Sequence, residues 1–286
     1  MLHSLPRPGE NVIEFTNEEI VMALTCEPGT LIVASAYPDP PFDIMQDGTP
    51  TGFDLELMRA ICARLKLTVR PVRYPGSDFN GIFAGLEQGV YDAVISGTTI
   101  TPQRVQRVLF SKPYLTFNQG VAINRRLSPH VAAEADLRGL VAGIQHGNTS
   151  DFVARRLHEQ GIIADIRYYP YDGIGTAIDD LAAGRIGLVI KLFPVISWLV
   201  RDRPQLAVAL QVPTNEELGI AFAKSNQALC DAVNEVLDAL KRDGTFAALT
   251  AHWIPNQTIR SSSYSTNPQP GWTRRRADTS GKLSPG

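Results

Sequence analysis

The residues most capable of chemistry lie in one run, Ser96-Gly97-Thr98-Thr99-Ile100-Thr101-Pro102-Gln103-Arg104. Ala93 to Ser96 reads as a buried strand and the polar residues after it as a loop. Thr101 and Pro102 open a helix that runs to about Leu109, with the hydroxyl as N-cap and proline at the first helical position, where its missing N–H costs nothing. A loop of this kind can offer an anion several donors at once. These are its backbone amides, the Thr98 and Thr99 hydroxyls, the positive end of the helix and Arg104 on the first turn. Arginine grips a carboxylate with two parallel hydrogen bonds, which lysine cannot do. The competing reading is a loop whose hydroxyls merely cap a helix, with Arg104 on a solvated face.

The elements around this run decide between the two. Leu31 to Ala34 is a buried strand ending in the stiff loop Tyr37-Pro38-Asp39-Pro40-Pro41-Phe42. A turn at Gln46 to Pro50 follows, then a helix marked by Leu55, Met58, Ile61 and Leu65, with Asp54 as its N-cap. Thr68 to Val72 is extended, and Ser77-Asp78-Phe79-Asn80 opens a helix stopped at Gly89. Strands then follow at Val121 to Asn124 and Val141 to Gln145. The second ends in His146-Gly147-Asn148-Thr149-Ser150-Asp151 and a helix from about Phe152, repeating the strand, polar loop and helix start of the first site. Helices at Ile174 to Ala183, Pro194 to Val200, Ala228 to Leu240 and Phe246 to Trp253 alternate with strands at Leu188 to Lys191, Leu206 to Val212 and Gly219 to Ala223. Alternating strands and helices are the mark of an α/β fold with a parallel sheet.

Bulk properties narrow the function. The chain has 286 residues and a formal net charge of −2, so it is long enough for a large core and gives no sign of nucleic-acid binding. The three cysteines and five histidines show no metal-ligand spacing, and no metal or cofactor is expected. Cys62 and Cys230 fall on apolar helix faces and read as buried thiols. Met1 to Phe15 lacks the apolar core of a signal peptide. From Asn256 onward periodicity is lost and the segment reads as a disordered tail, with Arg274-Arg275-Arg276 as a solvated basic run.

Taken together, the segments resemble the periplasmic solute-binding proteins that serve amino-acid ABC importers. The resemblance rests on Pro41-Phe42, Gly52-Phe53-Asp54-x-x-Leu57, Ser77-Asp78-Phe79 and Asp92-Ala93-x-x-Ser96-Gly97-x-Thr99-Ile100-Thr101-x-x-Arg104. It continues through Phe110-Ser111-x-x-Tyr114, Gly147-x-Thr149, Ala183-Gly184-Arg185 and Arg242-Asp243-Gly244-Thr245, in the family's order from about Leu31 to Trp253. It implies a two-lobed type II periplasmic-binding-protein-like clamshell of α/β lobes joined by two hinge strands. On that pattern residues 1–29 are a polar leader, 30–115 with 217–255 one lobe, 120–211 the other, 116–119 and 212–217 the hinges, and 256–286 the tail. The two polar strand-to-helix loops would then face one cleft, where open α/β sheets place ligands.

The resemblance also implies roles. Arg104 matches the α-carboxylate clamp, Thr99 a hydroxyl and amide donor, Gly97 a backbone contact to the α-ammonium with Ser96 beside it, and Phe79 the aromatic stacked on the ligand side chain. Asn148 and Thr149 match the donors of the second lobe. The implied protein is a monomeric, extracytoplasmic receptor that hands a small carboxylate to an ABC-transporter membrane permease without turnover. Two departures qualify this. The acidic residue that usually binds the α-ammonium is replaced by Leu192, after Lys191, and the acid used for cationic side chains is replaced by Ala36. Either Lys191 faces the cleft and favours a second anionic group, as in a dicarboxylate or keto acid, or it points outward and Asp39 supplies the ammonium partner. Two other functions fit the same scaffold. One is a cyclohexadienyl-dehydratase-like enzyme using Asp39 or Asp172 as its acid. The other is a cytosolic or tethered sensor domain.

Overall fold

The structure is a computed structural model that describes residues 24–254. Most of the leader, and the tail with its arginine run, lie outside the described residues. The last leader residues are part of the fold: Cys26 N–H donates to Asp92 Oδ1 at 2.6 Å and Asn226 donates to the Leu24 carbonyl at 2.8 Å.

In chain order the first elements are β1 (Thr30–Ser35), β2 (Ile44–Gln46), β3 (Thr49–Thr51), α1 (Phe53–Leu65), β4 (Thr68–Arg73), a 3-10 turn (Phe79–Ile82), α2 (Phe83–Glu87), β5 (Ala93–Val94), α3 (Pro102–Val105) and β6 (Leu109–Phe110). There follow β7 (Leu115–Asn124), β8 (Val141–Gln145), α4 (Ser150–Glu159), β9 (Asp165–Tyr169), α5 (Ile174–Ala182), β10 (Leu188–Leu192) and α6 (Phe193–Val200). The chain closes with β11 (Leu206–Leu218), β12 (Ala221–Phe222), α7 (Gln227–Arg242) and α8 (Thr245–Trp253).

The strands form two five-stranded sheets, each the centre of a lobe. The first has the order β4-β1-β5-β12-β6, with β1 parallel to β4 and β5, and β12 antiparallel to β5 and β6. The unbroken apolar run Leu31 to Ala34 is explained by burial on both faces. Leu31 and Val33 pack with Phe53, Met58 and Ile61 of α1 and Leu229, Val233 and Leu237 of α7, whereas Ile32 and Ala34 pack with Phe79, Ile82, Phe83 and Leu86. The second sheet has the order β11-β7-β10-β8-β9 and is covered the same way, by α4 on one face and by α5 and α6 on the other. Cys62 and Cys230 are buried in the first lobe and Cys26 is exposed; all are free thiols.

Three local expectations are corrected. The helix opened by Thr101 stops at Val105, because Leu109 and Phe110 leave it to pair with Phe222 and Ala221 at the sheet edge. The N-cap of α1 is Gly52, at φ 122°, not Asp54. A Cβ there would lie 2.1 Å from the Phe42 carbonyl oxygen, so only glycine lets the loop before α1 approach this closely. Asp54 lies inside the first turn, fully buried, and its carboxylate serves the site loop. Finally β7 extends from Leu115 rather than from Val121, and it pairs with β11 along most of both strands. The register slips between Val212 and Glu216, leaving a bulge at Asn215, which sits at φ 50°. The strand Asp165–Tyr169 has no apolar run to announce it; it is an edge strand held by parallel pairing to β8.

Candidate functional site

The nine expected ligand contacts line one cleft between the lobes, whereas Thr98 and Asp172 lie outside its lining. Asp39, Phe79, Ser96, Gly97, Thr99 and Arg104 come from the first lobe, and Asn148, Thr149 and Lys191, joined by Tyr171 and Leu192, from the second. In this closed form the cleft is nearly filled by its own side chains, leaving about 20 Å³, room for about one water molecule. The lobes are closed on one another. Phe79 N–H donates to the His146 carbonyl at 3.2 Å, Tyr171 N–H to the Ser77 carbonyl at 2.8 Å, and Arg104 Nη2 to the Gly147 carbonyl at 3.1 Å.

Arg104 is 5% exposed. Its Nε donates to Asn80 Oδ1 at 3.2 Å, its Nη1 to the Thr99 carbonyl at 2.8 Å, and its Cζ lies 4.9 Å from the centroid of the Phe79 ring. The guanidinium is therefore held by neutral oxygens and aromatic faces, and among the described residues it forms no salt bridge with a carboxylate. One N–H on each terminal nitrogen is left over from these bonds. Burial lowers the pKa of Arg104 to about 10, with the more distant Tyr171, Glu216 and Asp78 opposing. A buried cation without an anion is costly, and a carboxylate brought into the cleft would relieve that cost.

The loop before Arg104 differs from the sequence expectation of free donors. Ser96 N–H donates to Thr98 Oγ1 at 3.2 Å, Gly97 N–H to Asp54 Oδ2 at 2.6 Å, and Ile100 N–H to the Glu217 carbonyl at 2.8 Å. The Ser96 hydroxyl donates to Asp43 and accepts the Ala36 N–H at 3.1 Å. Much of the loop's donor capacity is thus spent holding its own shape, and the Ser96 and Thr99 hydroxyl protons go to Asp43 and Glu216. Phe79 does not present a bare face either: its ring lies 5.1 Å from that of Tyr171, tilted by 32°, in addition to carrying the guanidinium.

Lys191 takes the first of the two orientations foreseen for it but leaves no charge free for a second anionic group. It faces the cleft and is 1% exposed, but its Nζ lies 2.7 Å from Asp39 Oδ1, so its charge is met across the lobe interface. Burial pushes the Asp39 carboxyl up and the adjacent ammonium pulls it back. The pair is a close charge contact that also sets Lys191 Nζ 4.9 Å from the Tyr171 ring centroid. Neither acid considered for a dehydratase is free for that task, since Asp39 is paired and Asp172 is exposed and away from the cleft lining.

Sequence reasoning missed the roles of three acids, Asp43 under Ser96 and two more. Asp54, taken for a helix cap, accepts the Gly97 N–H and the Tyr114 hydroxyl, the latter at 2.9 Å. Glu216 accepts the Thr99 and Thr149 hydroxyls on Oε2, both at 2.7 Å, and the Gln119 amide on Oε1, also at 2.7 Å. A bulge that re-aims a strand residue leaves no mark in the local sequence, so nothing singled out Glu216 within the segment 212–217.

Asp54 makes one consequence measurable. Burial raises its pKa to about 7, against the opposing bonds from Gly97 and Tyr114. A carboxyl raised on folding binds extra protons in the folded state, so stability is greatest while it is protonated and falls as pH climbs from the ordinary carboxylate range through about 7. The thermal midpoint should fall between about pH 5 and pH 8, and by less in Asp54→Asn, as scanning calorimetry would show. Equal slopes would mean that Asp54 is not the titrating group.

The arrangement of two α/β lobes around a small polar cleft matches known proteins. Residues 31–256 match the family of bacterial extracellular solute-binding proteins, family 3. The chain belongs to that family. It is a solute-binding protein, not an enzyme. One relative, ABC transporter arginine-binding protein 1 of Escherichia coli, is 31% identical over 78% of this chain and 89% of its own length. Among solved structures, an ancestral arginine-binding protein bound to arginine superposes with a TM-score of 0.71 at 29% identity, covering 79% of this chain and 98% of that one. An ancestral amino-acid-binding protein, described as a precursor of cyclohexadienyl dehydratase, gives a TM-score of 0.73 at 29% identity, covering 83% and 99%.

Proposed function

We propose that this family member is the extracytoplasmic receptor of an ABC importer, acting as a monomer. It binds an L-α-amino acid between its lobes and delivers it unchanged to a membrane permease. Its ligand carboxylate lies on Arg104, and the segments 116–119 and 212–217 act as hinges. The observation that carries this reading is the buried guanidinium bonded only to neutral oxygens. A carboxylate there completes a charge pair that the empty protein lacks, and closure then removes the pair from water. The relatives named for arginine and other amino acids support the class of ligand. The Asp39–Lys191 pair supports a neutral polar side chain, because it offers both a donor and an acceptor but no net charge. Titration calorimetry against a panel of L-amino acids, with chromatography of the recovered ligand, tests the reading. Saturable binding of unaltered ligand, with L-glutamine ahead of L-arginine and L-glutamate, is expected. Silence from folded protein across the panel would overturn it.

Closure has its own test at Gly147. This residue sits at φ 75°, and a Cβ on it would meet Asp78 Oδ1 at 2.2 Å and the Phe79 nitrogen at 2.7 Å, both across the lobe interface. Gly147→Ala should weaken ligand binding by about tenfold or more, while the far-ultraviolet dichroism of the lobes is retained. Small-angle scattering should show the variant staying open at ligand concentrations that compact the parent. Compaction equal to the parent's would contradict the closed arrangement.

A further inference from the structure

Leu192 occupies the place where an acid would be expected for a ligand ammonium, yet the cleft holds an indirect substitute. The Thr99 and Thr149 hydroxyls both line it, one from each lobe, and each points its only proton at Glu216 Oε2. A hydroxyl that has given its proton to a carboxylate has only lone pairs left to offer. Gln119, fully buried, donates one amide nitrogen to both Glu216 Oε1 and Thr149 Oγ1, at 2.7 and 3.2 Å, which locks the polarity of the network. Thr99 Oγ1 retains both lone pairs and Thr149 Oγ1 retains one. Glu216 itself is not in the cleft lining. It stands behind the hydroxyls, on β11, directly after the register slip and opposite Phe117 of β7.

We infer that Glu216 is a positioning residue that turns Thr99 and Thr149 into paired hydrogen-bond acceptors for the ammonium group of the ligand, in place of a direct carboxylate contact. The inference rests on the amino-acid reading above and deepens it. It reverses the part that the family resemblance gives to the Thr99 hydroxyl, from donor toward a carboxylate to acceptor from an ammonium. The network also joins the two lobes at the ribbon between them, so the acceptor pair is complete only when they close. A charge-polarised hydroxyl pair is a stronger acceptor than two free hydroxyls, because hydrogen bonds in a low-dielectric network reinforce one another.

The test compares ligands with and without the ammonium group. The probes are L-glutamine with 4-carbamoylbutanoate, and L-arginine with 5-guanidinopentanoate, titrated into the parent, Glu216→Gln and Glu216→Asp. The parent should prefer the ammonium-bearing member of a pair, and in Glu216→Gln that preference should shrink by about tenfold. Glutamine in that position carries donors of its own and no longer fixes both hydroxyl protons. Glu216→Asp keeps the carboxylate and should restore part of the preference. If Glu216→Gln fails to fold, as dichroism would reveal, Thr149→Val, which removes one acceptor, should show the same narrowing. A purely structural role for Glu216 would weaken both members of a pair alike, leave their ratio unchanged and overturn the inference. A parent with measurable binding but no preference for the ammonium would overturn it too. If the parent binds none of the four probes, the amino-acid reading fails first and this inference falls with it.

Discussion

Replacing Arg104 with alanine is expected to abolish measurable binding while leaving the fold intact. The guanidinium is buried and bonded to Asn80, Thr99 and Gly147 through neutral oxygens, so the empty protein loses no ion pair when it is removed. The liganded protein loses everything. A ligand carboxylate would then be buried in a closed cleft without a counter-ion, which costs about 3–5 kcal/mol, or about two to four orders of magnitude in affinity. Arg104→Lys should fall between the two, since it keeps the charge but not the planar fork or the stacking on Phe79 and Phe83. Calorimetric titration gives the affinities, and the thermal midpoint of the unliganded variants checks the fold. An unchanged affinity in Arg104→Ala would move the carboxylate site elsewhere.

The second large effect concerns Lys191 and Asp39. Each comes from a different lobe, and they meet 2.7 Å apart, both buried. Their pairing is therefore a term in closure rather than in the stability of either lobe. Lys191→Met leaves Asp39 unpaired when the lobes close, so a ligand bringing its own cation is favoured, and preference should move from L-glutamine toward L-arginine. Asp39→Asn leaves the ammonium unpaired and should move preference toward L-glutamate. Each shift should reach about a hundredfold, given the several kcal/mol at stake in an unpaired buried charge. The double variant should return to neutral ligands, and the departure of the single variants from additivity measures the pair. Shifts of both single variants in the same direction would show that the pair is not the discriminating element.

What could be read from the sequence follows from where the information resides. The β1 strand and the polar loops after β5 and β8 are encoded locally, in apolar runs and in residues that end strands and begin helices, while the convergence of Arg104 with Thr149 is what the family resemblance implied. Elements set by distant partners were not legible. The residues Leu109 and Phe110 look helical until Ala221 and Phe222 are there to pair with them. Asp54 has every local feature of a cap, but a fully buried carboxylate accepts from Gly97 and Tyr114, and only the tertiary fold brings those together. Lys191 could be placed on a strand, though not against Asp39, because strand alternation gives a side chain's face and not its partner. Glu216 was least visible, since its direction depends on a register slip between β7 and β11.

The central claim is that a ligand carboxylate completes the charge of Arg104 inside a closed cleft. A crystal structure with bound L-amino acid tests it most directly. The carboxylate should lie against the Arg104 guanidinium, within hydrogen-bonding distance of its terminal nitrogens, with Gly147 still closed over Asp78 and Phe79. A ligand bound with its carboxylate away from Arg104, or bound outside the cleft lined by Asp39, Thr99, Thr149 and Lys191, would contradict it.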